Sequence, residues 1–155
     1  MTYDSLTSTV TVTVADPTGF LENGRVYLHF GSYGTACLDT TTFKELWRRT
    51  DLPCRHYRGP GSSVFPWKET LILTMDGVDV QYLAALDKKT GAEVWRKPRD
   101  ERSSWSTPLV VEVGGKLQAI VAATNRTRSY DPVTGDIIWE AGGLTPNAVR
   151  SGVTA

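Results

Sequence analysis

Three segments of this 155-residue chain carry one frame, and that self-similarity limits the fold more than any other feature. Asp39 and Trp47, Asp87 and Trp95, and Asp131 and Trp139 each stand eight residues apart, and the frames recur after 48 and then 44 residues. Thr90-Gly91 and Thr134-Gly135 fill the same interior places in the second and third copies, whereas the first copy has Phe43 where the others have glycine. In each copy a short apolar run ends at the Asp, turn residues follow, and a second run carries the Trp. That order predicts a β-hairpin, because an Asp side chain bonds nearby backbone N–H groups and Gly takes a left-handed conformation at no steric cost. With Phe43 at that place, the first turn is expected to differ or to be strained.

Two further strand-like runs precede each hairpin: 18–21 and 25–30 around Asn23-Gly24, 63–66 and 70–75 around 67–69, and 107–113 and 117–123 around Gly114-Gly115. Four antiparallel strands in about 45 residues make the blade of a β-propeller. Helical repeats of similar length need a sustained 3.6-residue apolar period, and no stretch here has one. Thr, Val and Ile supply a quarter of the chain, which also favours strands. The fold class is therefore all-β, with about three blades present and the ring incomplete.

Charge and targeting signals exclude several classes. Lys and Arg number 17 against 17 Asp and Glu, so nothing resembles the basic surface of a nucleic-acid binder. The longest apolar runs are about five residues, too short for a transmembrane segment. The first cation is Arg25, and residues 1–16 have no apolar core of a secretory leader, so no signal peptide is read there. Cys37 and Cys54 fit no zinc spacing, and a disulfide between them is left open.

The stretch Ala85-Leu86-Asp87-x-x-Thr90-Gly91-x-x-x-Trp95 resembles the tryptophan-docking repeat of pyrroloquinoline-quinone-type (PQQ-like) β-propellers. The segments 31–39, 51–56 and 59–63 look most similar to uncharacterised bacterial members. The resemblance covers about 17–155: blades at about 17–50, 62–97 and 106–141, and the start of a further blade at 147–155. Residues 1–16 fit no blade. It implies that Trp47, Trp95 and Trp139 are core residues that join each blade to the next. Members usually close seven or eight blades, about 300 to 400 residues, so this chain is expected to be part of a longer protein or to associate. The family includes quinoprotein alcohol dehydrogenases, which hold their cofactor with calcium, an acidic base and a vicinal disulfide, and BamB-like outer-membrane assembly factors. No adjacent Cys pair exists here. The resemblance therefore implies a non-catalytic scaffold that binds a protein partner or itself, without PQQ or calcium unless other blades supply the site. A periplasmic or other extracytoplasmic place follows from the BamB-like branch alone. The alternatives are a fragment of a PQQ-dependent oxidoreductase and a sensor domain of a signalling protein.

In such a fold the blade-to-blade segments (49–62, 96–106, 141–147) and the loops between second and third strands (31–35, 76–80, 124–127) share one face, where function usually sits. The polar inventory there is Asp51, Arg55, His56, Arg58, Asp76, Asp79, Arg102, Trp105, Asn125 and Arg126. His56 near Asp51 and Arg58 is the one candidate for proton transfer, against the plainer reading of an exposed loop histidine. Asp76 and Asp79 offer carboxylates to calcium, but a simple Asp/Gly turn is favoured for want of further ligands. Trp105 beside Arg102 offers a stacking surface. His29, inside a strand, reads as a packed histidine, and Asn125-Arg126-Thr127 matches a glycosylation sequon.

Overall fold

The computed structural model describes Thr2–Asp4, Thr9–Thr11 and residues 19–142. The expected start of a further blade at 147–155 lies outside the described residues. Strands β1 (Thr2–Asp4) and β2 (Thr9–Thr11) pair with each other. Twelve more form three antiparallel sheets of four, each in simple chain order. Blade 1 is β3 (Gly19–Glu22), β4 (Arg25–His29), β5 (Thr35–Asp39) and β6 (Glu45–Arg49). Blade 2 is β7 (Phe65–Trp67), β8 (Thr70–Asp76), β9 (Gln81–Asp87) and β10 (Glu93–Pro98). Blade 3 is β11 (Leu109–Val113), β12 (Lys116–Val121), β13 (Arg126–Tyr130) and β14 (Ile137–Gly142). A three-residue 3-10 turn at Gly31–Tyr33 is the only helical element described.

Local chemistry sets the hairpins. Asn23-Gly24 and Gly114-Gly115 both have positive φ at each residue, the two-residue turn that matches strand twist. The Asp turns share one backbone hydrogen-bond pattern. Asp39 Oδ1 accepts from the backbone of Thr41 and Thr42, Asp87 Oδ1 from Lys89 and Thr90, and Asp131 Oδ1 from Val133 and Thr134. The Thr90 hydroxyl, with these backbone bonds, holds the Asp87 carboxyl below the usual carboxylate range, and the Thr42 backbone and hydroxyl do the same for Asp39. The next residue of each frame, Phe43, Gly91 or Gly135, donates its N–H to the Asp carbonyl at φ of 57°, 72° and 75°. Phe43 therefore makes the same turn as the glycines, in a left-handed conformation that costs a side-chain-bearing residue about 1–2 kcal/mol.

Blade 2 is buried on both faces, and strand alternation divides its side chains between its neighbours. Leu71, Leu73, Met75, Tyr82, Ala84 and Leu86 pack with Tyr27, Cys37 and Trp47 of blade 1. Ile72, Leu83 and Ala85 pack with Ala119, Val121 and Tyr130 of blade 3. Two tryptophans fasten these joints. Trp47, 8 % exposed, lies on Gly91 of the next blade and donates its Nε1–H to the Lys88 carbonyl at 2.9 Å. Trp95 lies on Gly135 and donates to the Pro132 carbonyl at 3.3 Å. A cation two residues further on reaches the same turn: Arg49 Nη1 to the Gly91 carbonyl at 2.7 Å, and Lys97 Nζ to Asp136 at 2.7 Å.

Trp139 departs from the expected core position. It is 38 % exposed, and its Nε1–H goes to Gln118 Oε1 of its own blade at 2.6 Å. The reason is packing: no glycine turn of a following blade lies over it among the described residues. Cys37 pairs across from Trp47, and Cys37 and Cys54 are both free and buried, so the open disulfide question closes as two thiols.

Burial ranks the tryptophans. Trp47→Ala should cost about 3–5 kcal/mol, the range for a buried large aromatic. Trp139→Ala and the loop substitution Arg102→Ala should each cost much less in denaturant melts, and the reverse ranking would break the assignment of Trp47 as a joint. The glycine turn supplies an independent check. A Cβ on Gly91 would lie 2.6 Å from the Trp47 ring, whereas one on Gly115 would meet nothing within 4 Å, although both residues have positive φ. Gly115→Ala should therefore cost only the left-handed penalty of about 1 kcal/mol, and Gly91→Ala about 1–3 kcal/mol beyond it from overpacking. Equal losses in the two variants would mean the indole is not seated on the turn.

Candidate functional site

The loops at the end of the blades away from the Asp turns are tied together by side chains, and the sequence-derived candidates divide between ties and open surface. Asp76 is the last residue of β8 and fully buried, not part of an open turn. Its carboxylate accepts from Arg99 Nε at 2.9 Å, Arg99 Nη2 at 3.2 Å and Ser104 Oγ at 2.6 Å. Arg99 Nη1 also donates to the Tyr130 hydroxyl at 2.6 Å, which links blade 2, the 2-to-3 connection and blade 3. Removing one member of such a buried pair strands the other charge, at a cost of about 3–5 kcal/mol.

A second cluster lies beside the first. Arg128, on β13, binds Glu101 at 2.8 Å, Glu140 at 3.1 Å and Asp100. Arg126 binds Asp100 at 3.1 Å. Asn125 donates its side-chain amide to the Asp100 carbonyl at 3.0 Å, and its backbone N–H to Glu101 Oε2 at 2.8 Å. Sequence reasoning missed Arg99, Asp100, Glu101, Ser104 and Arg128. The signal for the first three was the charge run at 99–102, which has no counterpart in the other copies: counted from the Trp, Arg99 falls where the first frame has Asp51.

The remaining candidates lie around the 1-to-2 connection. Asp51 is held by Arg49 at 2.6 and 2.9 Å, which draws its carboxyl below the usual range. That contact, and not one to His56, is where its carboxylate goes. Asp79 Oδ1 accepts the backbone N–H of Arg55 at 2.7 Å and of Val80 at 2.8 Å, so it closes a turn and clips it to the connection. His56 is half-buried, with Nε2 3.4 Å from Cys54 Sγ and its ring over Gly31. Burial lowers the His56 pKa, while the Asp76 and Asp79 carboxylates work against that. The same burial, with those carboxylates, pushes the Cys54 thiol up to about 12, so the pair is a thiol beside an imidazole and not an activated nucleophile. Trp105 is 8 % exposed, with Nε1 donating to the Gly59 carbonyl at 2.9 Å and its ring under Gly61. It is a packing residue, because its indole is consumed in holding two connections together. No stacking surface remains there.

What stays open is a cleft of about 400 Å³ between the connections and the loops of blades 2 and 3. Tyr57, Gln81, Arg102, Ser103 and Thr124 line it, with Glu101 at its side. Arg102, Tyr57 and Arg58 are exposed, and the Arg58 guanidinium lies 5.6 Å from the centre of the Tyr57 ring.

Calcium does not fit these residues. Asp76 is neutralised by Arg99, Asp79 accepts two backbone N–H groups, and no three His, Cys, Asp or Glu among the described residues stand close enough to share an ion.

Four-stranded blades joined by an indole on a glycine turn define a β-propeller of the PQQ-like type. The family described as outer membrane protein assembly factor BamB matches residues 36–155, and the chain belongs to that family. No curated protein matches it. BamB from Moraxella catarrhalis is 16 % identical with a TM-score of 0.58, over 76 % of this chain and 34 % of that one. The quinohemoprotein alcohol dehydrogenase ADHIIG from Pseudomonas putida HK5 is 20 % identical with a TM-score of 0.62, over 81 % and 20 %. The quinohemoprotein alcohol dehydrogenase from Comamonas testosteroni is 21 % identical with a TM-score of 0.63, over 82 % and 21 %. The chain thus spans about a third of that BamB and a fifth of those dehydrogenases. These likenesses are of fold. No described helix is long and apolar enough to cross a membrane.

The buried end of β4 gives this region a pH signature. His29 is fully buried, with Nδ1 2.8 Å from Thr35 Oγ1 and no partner for Nε2 among the described residues. Burial, and then the nearby His56, pushes its pKa down to about 4. Between the unfolded value near 6.5 and 4, the unfolded chain binds a proton that the folded chain refuses. Stability should therefore fall as pH drops through that window, by about 2–3 kcal/mol between pH 7 and 4.5 from this residue alone. Denaturant melts of wild type and His29→Gln at both pH values measure it: the variant should lose that much less, and an equal loss in both would refute the assignment.

Proposed function

We propose that this chain is a segment of an extracytoplasmic, periplasmic PQQ-like propeller that acts as a non-catalytic scaffold, holding a protein partner on its loop face. The observation that carries this reading is the state of the charged loop residues. The acids that would serve as base or metal ligand are bound to Arg99, Arg126, Arg128, Ser104 or backbone N–H groups, and these bonds brace the loops against one another. The exposed groups left at the cleft, Tyr57 and Arg102, with Arg58 beside the Tyr57 ring, are of the aromatic and arginine kind enriched at protein interfaces. The family supports the periplasmic place and a role in outer-membrane protein assembly.

A photo-crosslinking residue at position 102, in cells making the full-length protein, should trap a protein adduct. The same residue at position 115, on the Asp-turn end, should not. In parallel, the purified chain supplied with PQQ and calcium should give no alcohol-dependent dye reduction. Turnover that disappears in His56→Ala or Asp76→Asn would replace the scaffold reading with the oxidoreductase one.

A further inference from the structure

A second cleft opens beside the loop that joins β8 to β9. Its volume is about 360 Å³, and Pro53, Val80, Tyr82, Pro98 and Arg96 line it. The cation there is already engaged: Arg96 lies 4.4 Å over the Tyr82 ring and gives two N–H bonds to Glu93. What remains is an apolar groove. The cleft at Arg102 has the opposite character. Arg102 is exposed there without an ion pair among the described residues, while Glu101 at its side is bound by Arg128 and by the Asn125 N–H. Gln81 reaches both clefts, so they flank one ridge, the loop 77–80. Backbone bonds fix that ridge: Val78 donates to the Arg55 carbonyl at 2.8 Å and Gly77 to the Val80 carbonyl at 2.9 Å. Val78 and Val80 on it are nonetheless 46 % and 37 % exposed.

We propose that the two clefts receive one segment of the protein partner, with an Asp or Glu side chain at Arg102 and a Leu- or Phe-like side chain between Pro53, Val80, Tyr82 and Pro98. The inference rests on the scaffold reading and adds the partner's chemistry to it. A guanidinium without an internal partner selects a carboxylate and repels a cation, by charge and by its parallel N–H donors. A groove of prolines, valine and an aromatic ring favours an apolar side chain, because a polar one buried there loses water without gaining a bond. A ridge already held by its own hydrogen bonds loses little freedom when a chain crosses it. Neither cleft alone uses both features. A segment lying across the ridge does.

Labelled Gly/Ser peptides of about a dozen residues, each carrying two acids and one Leu or Phe at every spacing, are the probe, titrated with the whole chain by fluorescence anisotropy. The best-bound peptide should weaken by about fivefold when its acids become Lys. It should weaken by about tenfold when its apolar residue becomes Ser. Arg102→Glu should abolish or invert the preference for acids and keep the apolar one, whereas Val80→Ser should do the converse, with circular dichroism confirming that both variants fold. No binding by any peptide of the set, equal binding of the Lys or Ser versions, or an acid preference that survives Arg102→Glu would each overturn the proposal. The scaffold reading is tested separately by crosslinking at position 102. A protein adduct there, combined with any of those peptide results, would keep the partner and reject this chemistry for it.

Discussion

An indole lying flat on a glycine in the left-handed conformation is the contact on which the rest of this structure depends. It works because three requirements meet in one turn. The Asp carboxylate captures two backbone N–H groups and bends the chain, and the next residue closes the bend at positive φ, where glycine is at ease. The absence of a Cβ then leaves room for a ring from the blade before. The same glycine thus serves the hairpin and the joint, so a repeat that folds locally is already prepared to stack. That coupling of local turn to blade contact is what lets a propeller be assembled from a frame of so few fixed residues.

The frame was legible in the sequence for the same reason. Asp87, Thr90 and Trp95 recur in all three frames and Gly91 recurs as Gly135, so their spacing repeats and can be read. Strand positions followed from the apolar runs, with differences of a residue or two at the ends, as at β12, which ends at Val121. Trp139 shows the limit of such reading. Its identity is set by the frame, but its burial depends on a turn from another blade, and that is a property of the neighbour. Phe43 was legible as an anomaly, whereas only the structure shows that it makes the same left-handed turn as Gly91 and Gly135.

The loop face was not legible, and the reason is physical. Asp76 meets Arg99 across 23 positions, and Arg128 meets Glu101 across 27, at a single junction with no counterpart between blades 1 and 2. Nothing periodic marks them. Residues that looked free, such as Asp76 and Trp105, are consumed by partners from a different connection. Of the candidates on that face, Arg58 and Arg102 are among those facing solvent.

The two ends of the blades therefore answer to different constraints. At the Asp-turn end Gly91 and Gly135 solve one packing problem, so a side chain there is punished in the fold itself, and none of the described indoles lands on the turn at Phe43. At the loop end the connections must be held in place without a repeat to hold them, and buried ion pairs do this through direction and not through net stability. An apolar contact between β8 and the 2-to-3 connection would bury as well. It would not fix the angle of Arg99 to both Asp76 and Tyr130, and thereby the spacing of two blades and the connection between them. Such braces differ from junction to junction, whereas the indole joints of Trp47 and Trp95 are alike. That separation leaves the blade geometry independent of the side chains that the loop face carries.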